Sequence, residues 1–435
     1  MVVKTKKRAN LFWITTLSAA EEIPTAVITY VALLMFLQFG NSMVMSAFYS
    51  ACLFLPFALR SFVRSKVRSA GNFKQNIHIA ECCMFILLIL MVLTIKYVHN
   101  NLWLLFVLMF LVACFCAWHD LLGRMYYDRM LYPRQQKIYN KTKIFAAQTT
   151  IILTYGVLIM FVGFLEVVFR MPTEIQTKRL AWAMECYIIA GVFLVLFFLN
   201  IYLLKNPSIG NTYRYQSMAT TVQNEIRILE RIRQKQYSIQ IIVALFFLLL
   251  PQALMFFTRV FFLLARAEDG GLDCSIPDVG FAQGTIGVIA FGIGLFAGRQ
   301  LLGKYGAEKM FWWMVVPLTL SPTLYMLMSQ NPYVGNMFAV CVMCFFAQLF
   351  FGYGLNICTV FIRFISGERY RNSIGYLYIP SIAGVMIIPM SLSGLLCATL
   401  GFQLFFIVDA AFAIVAWILL LILSIKTKLL DSLNS

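Results

Sequence analysis

The stretch KNPSIGNTYRYQSMATTVQNEIRILERIRQKQ, Lys205 to Gln236, decides how the rest of the chain is read. It is the longest polar segment in a 435-residue sequence otherwise dominated by long apolar runs. It falls near the middle, so residues 205–237 read as a linker between residues 1–204 and residues 238–435, halves of nearly equal length. Within it, Val222 to Gln236 has the spacing of an amphipathic helix: Ile226, Leu229 and Ile232 make one stripe, with Glu225, Arg227, Glu230, Arg231 and Arg233 elsewhere. Such a segment either lies along the cytoplasmic membrane surface or serves as a solvated linker helix.

Outward from this linker, the apolar runs are long enough to cross a bilayer. A hydrocarbon core about 30 Å thick takes about 20 helical residues. Segments of that order fall at 11–38, 43–63, 77–97, 101–123, 144–169, 180–204, 238–264, 279–300, 307–328, 333–362, 373–396 and 402–425. Six lie in each half. Two six-span halves joined by a central cytoplasmic loop are the pattern of the major facilitator architecture. The expected fold class is therefore an all-α membrane protein with 12 transmembrane helices, two six-helix bundles and cytoplasmic N- and C-termini.

Composition excludes the competing classes. With 61% hydrophobic residues, 12% charged residues and a mean hydropathy of +0.82, the chain departs from soluble globules, which carry about 25% charge. A net charge of +17 in a soluble protein would suggest nucleic acid. Here the basic residues abut apolar spans, so the expected partners are anionic lipid headgroups and no nucleic acid.

The distribution of those bases sets orientation, because Lys and Arg in short loops stay on the cytoplasmic side. Alternate gaps carry Arg60, Arg64, Lys66, Arg68 and Lys74, then Arg124 through Lys143, Lys205 through Lys235, and later Arg299, Lys304, Lys309, Arg363, Arg369 and Arg371. Opposite gaps hold Lys96, Arg170, Lys178, Arg179 and Arg266 with the acids Glu268, Asp269, Asp273 and Asp278. Lys4, Lys6, Lys7 and Arg8 precede the first apolar run, which lacks a small-residue cleavage site and reads as an uncleaved span.

Enzyme chemistry finds no support. There is no GxxxxGK[ST] phosphate loop, no Gly-x-Ser-x-Gly elbow and no His/Cys/Asp group at metal-ligand spacing. No cofactor and no metal are expected. All 11 cysteines except Cys274 lie in or beside apolar runs, so no disulfide framework is expected, and Cys341 and Cys344 read as small packing residues. Gly280, Gly284, Gly287, Gly294 and Gly298 recur through the eighth span, where other backbones can approach closely, and Pro380 and Pro389 break the eleventh.

Ionisable side chains inside spans are functional-site hypotheses, since each needs a partner or a wet cavity. Glu21 and Glu22 lie about halfway along the first span, just before Pro24; they are candidates for proton coupling or, alternatively, structural hydrogen bonding. Glu166 and Glu185 join them as coupling or cavity candidates. Asp120 and Arg124, at i,i+4 near the cytoplasmic end of the fourth span, read as a gate pair or an interfacial salt bridge, and Glu166 with Arg170 repeats the spacing. Arg259, flanked by Phe256, Phe257 and Phe261 with no partner in its own helix, either binds an anionic substrate group or pairs with Glu166 or Glu185. Tyr353, Gln348 and His119 are further substrate-binding candidates. Glu81 and His78, near a cytoplasmic boundary, read as snorkelling.

Several of these stretches together resemble the AmpG-type muropeptide permeases of the major facilitator superfamily, particularly the Bacteroidetes-type group. Ala20-Glu21-Glu22-Ile23-Pro24 is similar to that group's A-E-G-I-P, and Leu53 to Arg60 to its L-Y-L-P-W-x-x-K. Ala117 to Tyr127 echoes A-T-H-D-I-A-x-D-G-x-Y. Gln135-Gln136, Phe351-Gly352-Tyr353-Gly354, Gly367-Glu368 and Gly401 to Phe406 follow in the family's order. The resemblance covers most of the chain. It departs at the cytoplasmic gate: Arg68 and Arg124 stand where the family places acids, and Gly303 where another acid is usual.

What the resemblance implies is a proton-coupled symporter, acting as a monomer in the bacterial inner membrane. It would import a small cell-wall- or glycan-derived solute such as a muropeptide or oligosaccharide, with gate candidates Arg60, Arg68, Asp120, Arg124 and Glu368. The alternatives are another cargo, such as a peptide, a siderophore or an exported drug, or a non-transporting sensor or scaffold of the same fold.

Overall fold

A computed structural model describes residues 12–60, 72–98, 101–206, 237–330, 335–366 and 374–428, which are almost wholly helical. Among them, ten helical stretches are long and apolar enough to cross a membrane. Eight are single spans: α1 (Phe12–Gln38), α2 (Met43–Arg60), α3 (Phe73–Tyr97), α4 (Leu102–Met130), α5 (Ile138–Val168), α6 (Glu174–Leu203), α7 (Ser238–Leu264) and α10 (Met337–Phe364).

The other two stretches are each two spans. Ile276–Gln330 turns at Gly306 (φ 79°), giving α8 (276–305) and α9 (307–330). Ile374–Ile422 turns at Gly401 (φ 72°), giving α11 (374–400) and α12 (402–422). Only glycine takes that left-handed backbone without a Cβ penalty, so one residue suffices to reverse a helix at each membrane surface. Twelve spans result, six on either side of the linker.

Several helices outrun the bilayer. α4 continues to Met130 and α6 begins at Glu174, because the polar residues flanking their apolar runs are themselves good helix formers. Pro380 and Pro389 do not break the eleventh span; both sit inside continuous helix, and the break falls at Gly401. Neighbouring helices and side chains re-satisfy the backbone group a proline frees in a membrane. Arg68, Glu368 and the amphipathic stretch Val222 to Gln236 lie outside the described residues.

The buried core explains how the halves meet. Toward the outer side it is continuous across both halves, joining Val31, Phe36 and Ile159 of the first with Phe257, Phe262 and Phe406 of the second. Toward the cytoplasmic side it divides. One cluster belongs to the first half, around Trp13, Phe73, Leu121 and Tyr126; the other belongs to the second, around Leu248, Phe311, Leu318 and Phe361.

Glycines permit the outer contact. A Cβ on Gly280 of α8 would come 3.0 Å from the Gly156 carbonyl oxygen of α5, and one on Gly284 would fall on the Tyr155 carbonyl. Gly294 and Gly298 turn the same device toward α10 in their own half. Helix α2 meets α11 likewise, where a Cβ on Gly394 would lie 2.5 Å from the Met43 carbonyl.

Candidate functional site

Three π-helical turns converge where the halves meet: Val27–Val31 in α1, Ile152–Val157 in α5 and Gly280–Gly287 in α8. A π turn inserts one extra residue and re-aims the side chains around it, a feature frequent at functional sites. These turns carry Tyr30, Tyr155 and Gln283, and all three residues line one cavity between the halves. Gln148 and Ile151 of α5, Phe256 and Arg259 of α7, Gly287, Val288 and Phe291 of α8, and Gln348 and Phe351 of α10 complete the wall. Both halves therefore contribute.

The wall is aromatic and amide-rich, with one cation. Tyr30 stacks on Tyr155 at 4.4 Å between ring centroids, and Phe256 follows at 6.3 Å from Tyr30. The Arg259 guanidinium lies 4.9 Å from the Phe256 ring centroid, and Arg259 is only 4% exposed. Among the described residues, its Nε has no hydrogen-bond partner, nor has Gln148 Oε1. Gln348 Nε2 donates to Gln283 Oε1 (3.3 Å), and Gln283 Nε2 donates to the Tyr325 hydroxyl (2.8 Å), which fixes the two amides.

Arg259 is not paired with Glu166 or Glu185; no ion pair of Arg259 occurs among the described residues. Glu185 of α6 is buried with neither carboxylate oxygen bonded among the described residues, and Asp409 of α12 repeats that situation in the second half. Glu166 does not meet Arg170 as the spacing predicts, because the helix stops at Val168. It lies at the outer end of α5, under the influence of Lys178 and Gln38.

Nor does Tyr353 line the cavity. Gly352 and Gly354 on either side of it press against Phe291 and Leu318, and the cavity positions on α10 are Gln348 and Phe351 instead.

A second constellation lies between the cavity and the cytoplasmic ends. Asp120 of α4 is 4% exposed and forms an ion pair with Arg60 of α2, itself 2% exposed, while its other oxygen accepts from Arg124 Nε at 2.9 Å. Three of the gate candidates thus meet in one buried cluster. Glu21 of α1 pairs with Lys143 of α5 at 3.3 Å, and Glu22 lies within electrostatic range of Lys143 and Arg124. This ties α1, α2, α4 and α5 together through charge. Neither acid lines the cavity, although Tyr30 senses both Glu22 and Arg259.

His119 turns away from the cavity. Its Nε2 is 3.3 Å from Oε1 of Glu81, and Glu81 also contacts His78 Nδ1 (3.3 Å) and accepts from Asn200 Nδ2 (2.6 Å). Glu81 is 0% exposed, so it does not snorkel. The sequence signal that separates the two readings is faint: an Asn at position 200, inside the last turns of an apolar run, hints that a neighbouring helix holds a polar group.

The sequence matches no protein-family model and no curated relative. Solved structures are similar over nearly the whole length. A single-site mutant of the nucleoside transporter NupG is 14% identical, with 94% of this chain and 98% of that one covered and a TM-score of 0.68. A bacterial homologue of the human lysosomal transporter Spinster, inward-facing and unoccupied, is 14% identical at 97% and 98% coverage with a TM-score of 0.66. A D-xylose–proton symporter is 14% identical at 94% and 97% coverage with a TM-score of 0.63. Together with the two six-helix halves and the cavity between them, these similarities identify the architecture: the chain has the twelve-helix major facilitator fold.

Proposed function

We propose that this chain is a proton-coupled symporter of the bacterial inner membrane, importing a cell-wall- or glycan-derived solute such as a muropeptide or oligosaccharide by alternating access. The observation that carries the reading is the cavity shared by both halves, with Arg259 as a buried cation among Tyr30, Tyr155, Phe256, Gln148, Gln283 and Gln348. Aromatic faces suit sugar rings, amides suit hydroxyl and acetamido groups, and a guanidinium suits a carboxylate. A core that is continuous on the outer side and divided on the cytoplasmic side suits a carrier open to the cytoplasm.

Glu21 and Glu22 supply the proton step. They lie on α1 beside the stretch of α4 that carries Asp120 and Arg124, and Glu21 holds Lys143. Protonation of Glu21 releases Lys143 and so loosens α1 from α5, which couples a bound proton to helix movement. Asp120, gripped by two arginines, keeps the cytoplasmic gate charged although Arg124 stands at a position where the resembling family has an acid.

Reconstituted vesicles test this. Uptake of labelled muropeptides or oligosaccharides that follows an imposed proton gradient, and disappears in Glu21→Gln or Glu22→Gln, is the expected result. Gradient-independent uptake unchanged in both variants overturns the coupling. Failure of every glycan to enter, with an intact fold, leaves another cargo or a non-transporting scaffold.

A further inference from the structure

We infer that Glu81, His119, His78 and Asn200 form a proton-binding site inside the first half, separate from the central cavity. The four residues come from three helices, α3, α4 and α6, and none of them lines the cavity. Glu81, His119 and Asn200 are each 0% exposed.

The carboxylate is surrounded by donors. Oε1 accepts from Asn200 Nδ2 at 2.6 Å and faces His119 Nε2 at 3.3 Å, while Oε2 faces His78 Nδ1 at 3.3 Å. The far nitrogens, His119 Nδ1 and His78 Nε2, have no hydrogen-bond partner among the described residues. Each is therefore free to carry or release a proton without breaking a bond to the protein.

Charge decides the rest. Among the described residues, the groups acting on Glu81 are the two imidazoles and the Asn200 amide, with no Lys or Arg. On α4 the neighbouring charges, Asp120 and Arg124, are engaged toward Arg60 of α2. On α6 the other buried acid, Glu185, is fifteen residues from Asn200, about 22 Å along a helix. On α3 itself, Lys74 stands one turn from His78, and Cys82 is exposed.

With two neutral imidazoles the cluster would be a hydrogen-bonded but net-negative buried site, and a buried charge without a countercharge is costly. One proton, shared among Glu81, His119 and His78, makes the site neutral. The site sits where α4 meets α3 and α6, and His119 is adjacent in sequence to Asp120 of the gate cluster. Loss of the proton puts an unpaired charge on one side of α4, while the Asp120 ion pairs hold the other.

Histidine ¹⁵N resonances and the infrared carboxyl region, recorded at pH 7.5 on the full chain in lipid nanodiscs, read this directly. The chain has only three histidines, and a His99→Gln background leaves the two of interest. The expected spectrum shows either one doubly protonated imidazole or a protonated carboxyl band, and Glu81→Gln abolishes it. If that variant does not fold, His119→Gln and His78→Gln each displace the same signal. Two neutral imidazoles beside a fully ionised Glu81, or a signal untouched by these substitutions, overturns the inference. Because no solute is needed, this result is independent of whether the proposed cargo is transported.

Discussion

Tyr30 of α1 and Tyr155 of α5 stack with their ring centroids 4.4 Å apart and their planes 12° from parallel. Each belongs to a π-helical turn, Val27–Val31 and Ile152–Val157, so the extra residue in both helices is spent on bringing two aromatic rings together. Phe256 extends the wall to Arg259, whose guanidinium rests 4.9 Å from its ring. A cation over an aromatic face gains roughly 0.5 to 2 kcal/mol, which holds the Arg259 head in place without neutralising it.

An unneutralised guanidinium in a cavity discriminates anions. Truncating one partner of a buried charge pair costs about 2 to 5 kcal/mol. Uptake of a carboxylate-bearing glycan is therefore expected to lose about 30-fold or more in apparent affinity in Arg259→Gln, while a neutral oligosaccharide loses much less. Competition measurements with the acid and its amide give the ratio. Equal losses for both would mean that Arg259 supports the wall rather than reading charge.

The contact between α5 and α8 is tight enough to reject a single methyl group. A Cβ on Gly284 meets the Tyr155 carbonyl, which is backbone and cannot rotate aside, whereas a Cβ on Gly191 of α6 meets nothing within 4 Å. Overpacking of this kind costs roughly 1 to 3 kcal/mol. Gly284→Ala should melt at a distinctly lower temperature than Gly191→Ala in the same detergent. Equal melting temperatures would show that the two halves do not meet through this glycine.

Much of the architecture is legible because membrane spans write their length and sidedness directly into the sequence. Glycines 280, 284, 294 and 298 likewise announce close approach, though not that the first two face α5 and the last two α10. The i,i+4 pair Asp120 and Arg124 is readable from one helix; Arg60, a gate candidate through the resemblance, comes from α2, and its pairing with Asp120 is not readable. Arg259 draws attention as a lone cation, but its aromatic and amide surroundings depend on three π turns that hydrophobic periodicity does not reveal. Glu81 is misread as a boundary residue for the same reason: its partners His119 and Asn200 lie on other helices.

Asp120 is where charge is most exposed to mutation. Replacing it by Asn takes the Asp120 carboxylate away from Arg60, which is 2% exposed, and breaking a buried pair by removing one partner costs about 3 to 5 kcal/mol. Replacing both, Asp120→Asn with Arg60→Gln, removes the buried cation along with its Asp120 partner. The double variant is expected to be more stable than Asp120→Asn alone. A double variant less stable than either single one would contradict the ion pair.

Cys274 offers a test of sidedness and of burial together. It lies between α7 and α8, outside the spans, where burial, with Asp278 and Asp273 adding to it, pushes its thiol up to about 11. The thiolate is the nucleophile, and below that value its fraction grows about tenfold with each pH unit. In a variant retaining only this cysteine, a membrane-impermeant maleimide should label from the outer face and not from inside-out vesicles. Its rate should still be climbing between pH 8.5 and 10, where an ordinary thiol of pKa about 8.5 levels off. Labelling confined to inside-out vesicles would invert the topology, and a plateau by pH 9 would mean that the loop around Leu272 and Cys274 does not shield the sulfur.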